Sequence, residues 1–115
     1  MQYMLIIHND PELHPVPGDP AWDELLAEYA EFSEKLASDG KPVNGAPLND
    51  PTTATTIRVR NGETLTTDGP FAETKEWMSG YYIIECDHLD QALAAAAMVP
   101  SAKYGSVEVR PVAEM

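Results

Sequence analysis

Glu73, Lys75 and Glu76, three charges within four positions, follow the turn-forming triplet Asp68, Gly69, Pro70 and the aromatic Phe71. A loop holding carboxylates beside an ammonium group can bind a polar or anionic small molecule and move a proton on it. Lys75 would orient the ligand, and Asp68 or Glu73 would serve as base. Gly69 tolerates backbone angles denied to other residues and Pro70 fixes its own φ, so the loop has a defined course. The same residues admit a structural account: Asp68 caps its own turn, Phe71 plugs into the core and Lys75 pairs with a carboxylate. Both accounts stay open at this level.

Two histidines offer a second route to proton transfer. His8 ends an apolar run, and His14 sits in a proline-rich loop near Asp10 and Glu12. Either could act as a general base. The simpler expectation is that His8 is a buried strand-end side chain and His14 a mobile loop group. Neither has a matched spacing to the third histidine, His88, so no metal site is expected. Glu108 and Arg110 fall on one face of the last apolar run, opposite Val107 and Val109. They would either contact a ligand or, through a structural pair between Arg110 and a carboxylate, fix a dimer, since an unpaired buried charge is costly. Glu85 invites the same two readings. The site expected from these residues lies between the Asp68 loop, His8, and Glu108 with Arg110. Its ligand-binding set is Asp68, Phe71, Glu73, Lys75, Glu108 and Arg110. The chain contains no glycine-rich phosphate cradle, nucleophile elbow or zinc-protease helix motif, and no cofactor is expected.

These residues need a scaffold. Gln2 to His8 alternates two nearly apolar faces, as in a strand covered on both sides. Asp19 followed by Pro20 is a helix start. Trp22, Leu25, Leu26, Tyr29, Phe32 and Leu36 then keep the helical period until Gly40 and Pro42. Val43 to Leu48 reads as an edge strand. Thr55 to Arg60 and Glu63 to Thr66 flank Asn61-Gly62, the signal of a type I′ hairpin pairing Arg60 with Glu63 and Val59 with Thr64. Gly80 to Cys86 is a second two-faced strand, entered from Trp77. A helix capped by Asp87 runs to about Met98, and Ser106 to Val112 closes the chain as a strand. The order β, α, β, hairpin, β, α, β predicts an α+β ferredoxin-like sandwich, an antiparallel sheet with both helices on one face and an added β-hairpin.

At 115 residues the chain is expected to form one domain spanning 1–115, large enough to fold without disulfides. The net charge of −12 opposes binding to nucleic acid or anionic membrane. The single cysteine, Cys86, excludes an internal disulfide and reads as a small core residue. With no leader-like or membrane-length apolar segment, the expected location is the cytoplasm.

Asp68 to Glu76 reads DGPFAETKE, and this stretch resembles the signature of the DGPFAETKE family within the YCII-related superfamily. The flanks agree: the opening MQYMLII, the run ATTIRVRNGETLTTDGPFAETKE, the strand YYIIE and the closing GSVEVRP. The resemblance implies a ferredoxin-like domain that pairs through its open sheet face into a dimeric α+β barrel. Some superfamily members are similar to small enzymes of aromatic metabolism that use a His-Asp pair, with the His on the first helix, where this chain has Tyr29. Other members accompany sigma factors, which implies a regulatory protein partner. Two functions follow as expectations: a homodimeric ligand- or partner-binding module, or an acid/base isomerase or lyase on a small polar or aromatic metabolite. The lack of a helix histidine and of an evident orienting partner for His8 or His14 favours the module.

Overall fold

The computed structural model describes residues 1–115. Strand β1 (Gln2–Asn9) leads through a proline-rich loop to helix α1 (Pro20–Ser38), then to β2 (Pro42–Pro47). Strands β3 (Thr55–Arg60) and β4 (Glu63–Asp68) form a hairpin of their own, and β5 (Trp77–Glu85), α2 (Leu89–Ala97) and β6 (Gly105–Pro111) complete the chain. The four remaining strands make an antiparallel sheet in the order β2-β5-β1-β6. Each helix crosses one strand to reach a parallel partner, which places both on the same face. This is the ferredoxin-like arrangement expected from the alternation of elements.

Local signals set the boundaries. Pro20 opens α1 at the position where a missing N–H costs nothing, although Asp19 spends its carboxylate on the Val16 N–H rather than on the helix. The helix ends on Gly40 at φ +68°, with Gly40 N–H donating to Ala37 O and Lys41 N–H to Leu36 O, the paired bonds of a Schellman stop. Asn61 and Gly62 both have positive φ, and Arg60 faces Glu63 while Val59 faces Thr64, as the two-residue turn requires. His88 rather than Asp87 holds the N-cap position of the second helix and makes no side-chain capping bond, while the Asp87 N–H donates to the Gln91 side chain.

Tyr3, Leu5 and Ile7 of β1 and Ile84 of β5 point at the helices, where Phe32 and Leu36 of α1 and the small Ala92, Ala95 and Ala96 of α2 close over them. The alanines let α2 approach the sheet closely. Val107 and Val109 of β6 pack against the same core. Cys86 is buried there, and burial pushes its thiol pKa up. The opposite sheet face carries Met4, Ile6, Tyr81 and Ile83, only half-buried, beside Glu108 and Arg110. No helix is long and apolar enough to cross a membrane.

Candidate functional site

A cavity of about 630 Å³ lies on the helix-covered side of the sheet, between α1, β2 and the ends of β1 and β5. Helical spacing gives it one wall, because Trp22, Leu25, Leu26 and Tyr29 fall at i, i+3, i+4 and i+7 of α1. The short strand β2 gives the other. Its Gly45 approaches β5 so closely that a Cβ would stand 2.8 Å from Tyr81 O, leaving room where a side chain would otherwise fill the edge. None of the residues lining the cavity is Asp, Glu, Lys or Arg, although the chain carries a net charge of −12.

The polar groups of this cavity form a chain of hydrogen bonds. Tyr29 Oη donates to Ser101 Oγ at 2.7 Å, and Ser101 Oγ lies 3.2 Å from His14 Nε2. His14 Nδ1 is 2.9 Å from Pro15 O. A carbonyl can only accept, so Nδ1 carries the proton and Nε2 is left as an acceptor for the serine hydroxyl. With the imidazole neutral, the chain runs from Tyr29 to Ser101 to His14. Burial raises the Tyr29 phenol pKa against the lowering effect of its bond to Ser101, which keeps Tyr29 protonated as the donor. Beside this chain, Asn9 Oδ1 is out of contact with solvent and has no hydrogen-bond partner, an acceptor with its capacity unspent.

Each member of the chain is held by its own element. Ser101 is 2% exposed and sits in the 3₁₀ turn Pro100–Tyr104 that follows α2. His14 is held by a turn built on the buried Asp10, whose carbonyl accepts from Leu13 N–H and His14 N–H and whose carboxylate accepts from Glu12 N–H at 3.0 Å. Asp10 N–H in turn donates to Tyr104 O, tying this turn to the one that bears Ser101. The imidazole stands edge-on to Trp22 and Tyr104, with ring centroids 6.3 and 5.7 Å away. Such a set can accept a proton from a ligand hydroxyl at Tyr29 and store it on His14.

The residues singled out in the sequence are distributed differently. His14 lines the cavity. Both of its ring nitrogens have partners. His8 lies on the other face of the sheet, 3.6 Å from Glu108, which also pairs with Arg110. Those two interactions hold the Glu108 carboxyl below its ordinary range, with the Arg110 hydrogen bond the larger cause. Asp68 ends β4 opposite Thr55 and is exposed, as is Glu73. Phe71 is 80% exposed and fills no core, because the hairpin carries it away from the apolar layer. Lys75 reaches back to the Asp10 carboxylate at 3.8 Å. The large cavity is thus not the cleft expected between the Asp68 loop, His8, Glu108 and Arg110. It lies on the opposite side of the sheet, and of the eight candidate residues Asp68, Phe71, Glu73, Lys75, Glu108, Arg110, His8 and His14 it takes only His14. Charge drew attention to the open face, whereas the groups that converge are neutral. Ser101, Tyr29 and Asn9 went unassigned as functional residues. The one signal in the sequence is the family resemblance, which implies a histidine in some superfamily members at the helix position held here by Tyr29. No three His, Cys, Asp or Glu side chains gather closely enough to hold a metal ion.

The family model of the YCII-related domain matches residues 1–115. The chain belongs to the YCII-related domain family. This YCII-related chain is 36% identical over 115 residues to an uncharacterized protein of Rhizobium meliloti (strain 1021), a match covering 98% of the chain and 93% of the relative. Among solved structures it is similar to 5-chloro-2-hydroxyhydroquinone dehydrochlorinase (TftG) from Burkholderia phenoliruptrix AC1100, in a complex with 2,5-dihydroxybenzoquinone. The TM-score is 0.52 at 15% identity, over 100% of this chain and 96% of that one. At that identity the likeness establishes the ferredoxin-like fold of the YCII-related domain and nothing of its chemistry.

Proposed function

We propose that this YCII-related protein is an acid/base enzyme, an isomerase or lyase acting on a small, uncharged, hydroxyl-bearing ring compound. The observation that carries the reading is the directed hydrogen-bond chain from Tyr29 through Ser101 to His14, opening into a cavity with no permanently charged wall. A substrate hydroxyl would donate to Tyr29 Oη. As it loses its proton, the Tyr29 proton passes to Ser101 Oγ and the serine proton to His14 Nε2. The imidazolium so formed keeps its Nδ1–H on Pro15 O. The substrate is left as an oxyanion and the proton is returned, at the same or another atom, when the chain runs back. Walls of Trp22, Leu25, Leu26 and Tyr82 suit a flat ring and disfavour a carboxylate, which would be desolvated without a counter-charge. That TftG was solved with a dihydroxylated quinone supports a compound of this shape in the same fold. Two grounds favour a module without turnover, the lack of a helix histidine and the lack of an orienting partner for His8 or His14; Pro15 O supplies a partner for His14 and removes the second ground. We further propose that two copies pair through the open sheet face, whose Met4, Ile6, Tyr81 and Ile83 are left half-covered.

The test is a thermal-shift screen with neutral phenols and hydroquinones alongside benzoates, followed by turnover assays on every hit. Wild type is compared with Tyr29→Phe, His14→Gln and, as a distant control, Asp68→Ala. General acid/base catalysis contributes on the order of 10²–10⁴-fold, so His14→Gln should lose about that factor in kcat while Asp68→Ala does not. Hits that bind in the cavity but never turn over would return the protein to the binding-module class.

A further inference from the structure

The signature loop gives no residue to the cavity wall, yet one of its side chains is joined to the turn that holds His14. Of the nineteen acidic residues Asp10 alone is buried. A carboxylate withdrawn from water needs both hydrogen-bond donors and a counter-charge. Its Oδ1 accepts from Glu12 N–H at 3.0 Å, and its Oδ2 lies 3.8 Å from Lys75 Nζ. Lys75 is the one cation paired with it, although the lysine itself is 82% exposed.

The strands bring these two groups together. Trp77 opens β5 opposite Asn9 at the end of β1, so residues 10 and 75 lie close beyond the last pair of the ladder. The short segment that carries Lys75 is fastened on its other side by Glu76, whose Oε1 accepts from Ser106 Oγ at 2.6 Å and whose carbonyl accepts from Thr74 Oγ1. A lysine on a tethered segment can hold a fixed carboxylate. That carboxylate belongs to the residue whose carbonyl accepts from Leu13 N–H and His14 N–H, so whatever holds Asp10 also holds the backbone from which the imidazole reaches Ser101.

We propose that Lys75 is a positioning residue for His14. By neutralising the buried Asp10 carboxylate it fixes the turn 10–14 and keeps His14 Nε2 on Ser101 Oγ and Nδ1 on Pro15 O. The signature loop thereby takes part in the site without touching a ligand. The role in positioning stands on geometry, and only its kinetic consequence rests on the acid/base reading above.

The test compares wild type with Lys75→Met, which keeps the length of the stem and removes the charge, and with Lys75→Arg, which keeps the charge. The same Lys75→Met change is also made in an Asp10→Asn background. Long-range nitrogen-proton NMR spectra read the tautomer of each imidazole, and amide hydrogen exchange reads the turn. Wild type and Lys75→Arg should show His14 as the single Nδ1–H tautomer. Lys75→Met should show both tautomers at His14 with His8 and His88 unchanged, and the Glu12, Leu13 and His14 amides should exchange about three- to tenfold faster. In the Asp10→Asn background the lysine change should add less than about twofold, because its route to His14 is already cut. On any neutral phenol that is turned over, Lys75→Met should lower kcat about tenfold and leave KM within about twofold. A Lys75→Met protein whose His14 tautomer and three amides match wild type overturns the proposal, as does an equally large effect with Asp10 already replaced. At its exposed position Lys75 can be changed without loss of the fold, so its two single variants decide the matter even if Asp10→Asn does not fold. The NMR and exchange changes without turnover of any phenol would refute the acid/base reading and support the positioning role.

Discussion

Replacing Ser101 with alanine removes a single oxygen from a site that is 2% exposed, and that oxygen has two partners. Each neutral hydrogen bond contributes about 1 kcal/mol net, and a buried group left unpaired costs about 1–3 kcal/mol more. Ser101→Ala takes away both bonds and strands the partly buried Tyr29 hydroxyl, so it should cost about 2–3 kcal/mol. Tyr29→Phe takes away one bond and leaves Ser101 still donating to His14, so it should cost about 1 kcal/mol. The two losses share the Tyr29–Ser101 bond. In the double variant that bond is counted once, and the combined cost should fall short of the sum by about 1 kcal/mol. For a chain of this size the Ser101→Ala change corresponds to a melting temperature lower by about 8–12 °C. Urea unfolding of the four proteins near neutral pH measures the coupling directly. Additivity within about 0.3 kcal/mol would show that the two hydroxyls are not joined, and the proton path from the cavity to His14 would lose its middle step.

Two other outcomes test the scaffold and the open face. A Cβ on Gly105 would stand 2.0 Å from His8 O, and the backbone there is extended, so space alone is the obstacle. Gly105→Ala should part β6 from β1 and cost about 3 kcal/mol, against about 1 kcal/mol for Gly62→Ala at the open hairpin turn; equal midpoints in urea would contradict this. Glu108 has its carboxyl held below the ordinary value of 4.5, first by its hydrogen bond from Arg110. A depressed folded value contributes stability that is present above the unfolded value and lost as pH falls through the folded one, so the contribution fades below about pH 4.5. Arg110→Ala should move the Glu108 titration upward in a carbon-detected NMR experiment and flatten the acid limb of the stability curve; an unchanged titration would mean that the pair does not form in solution.

Local chemistry is what the sequence made visible. Asn61-Gly62 dictated its turn and even its cross-strand pairs, and Gly40 stopped α1 where its left-handed geometry was needed. Periodicity located the core strands because Leu5 and Ile84 alternate with residues of the other face. The candidate site was legible only in fragments. His14 drew notice as a titratable group, but its partner Ser101 is 87 positions away and serine has no periodic or charge signature to bring it forward. Conversely, Glu108, Arg110 and the charges of the 68–76 loop are conspicuous in a sequence for the same reason that they are absent from the cavity wall: charges stay where water or a counter-charge can reach them. Phe71 illustrates the other failure. An aromatic is expected inside unless the element that bears it leaves the body of the protein, and no single residue announces that the hairpin does so.

Strand β5 has one residue more than its partner at the point where Ile7 faces Gly80 but His8 faces Met78, leaving Ser79 unpaired between them. Ser79 is fastened on both sides, its carbonyl accepting from Leu48 N–H and its hydroxyl directed at Ile7 O. Next to it Gly80 has no room for a Cβ, which would meet Ala46 O at 2.8 Å. Strand β5 therefore cannot slide to absorb an added or missing residue near its start. Upstream of Trp77 the hairpin and its turn belong to a separate sheet, so a change of length there does not shift the β5 register. The extra residue at Ser79 thus works as a fixed splice: on one side lies a segment whose length must be kept, on the other an appendage free to lengthen, shorten or be replaced without disturbing the cavity.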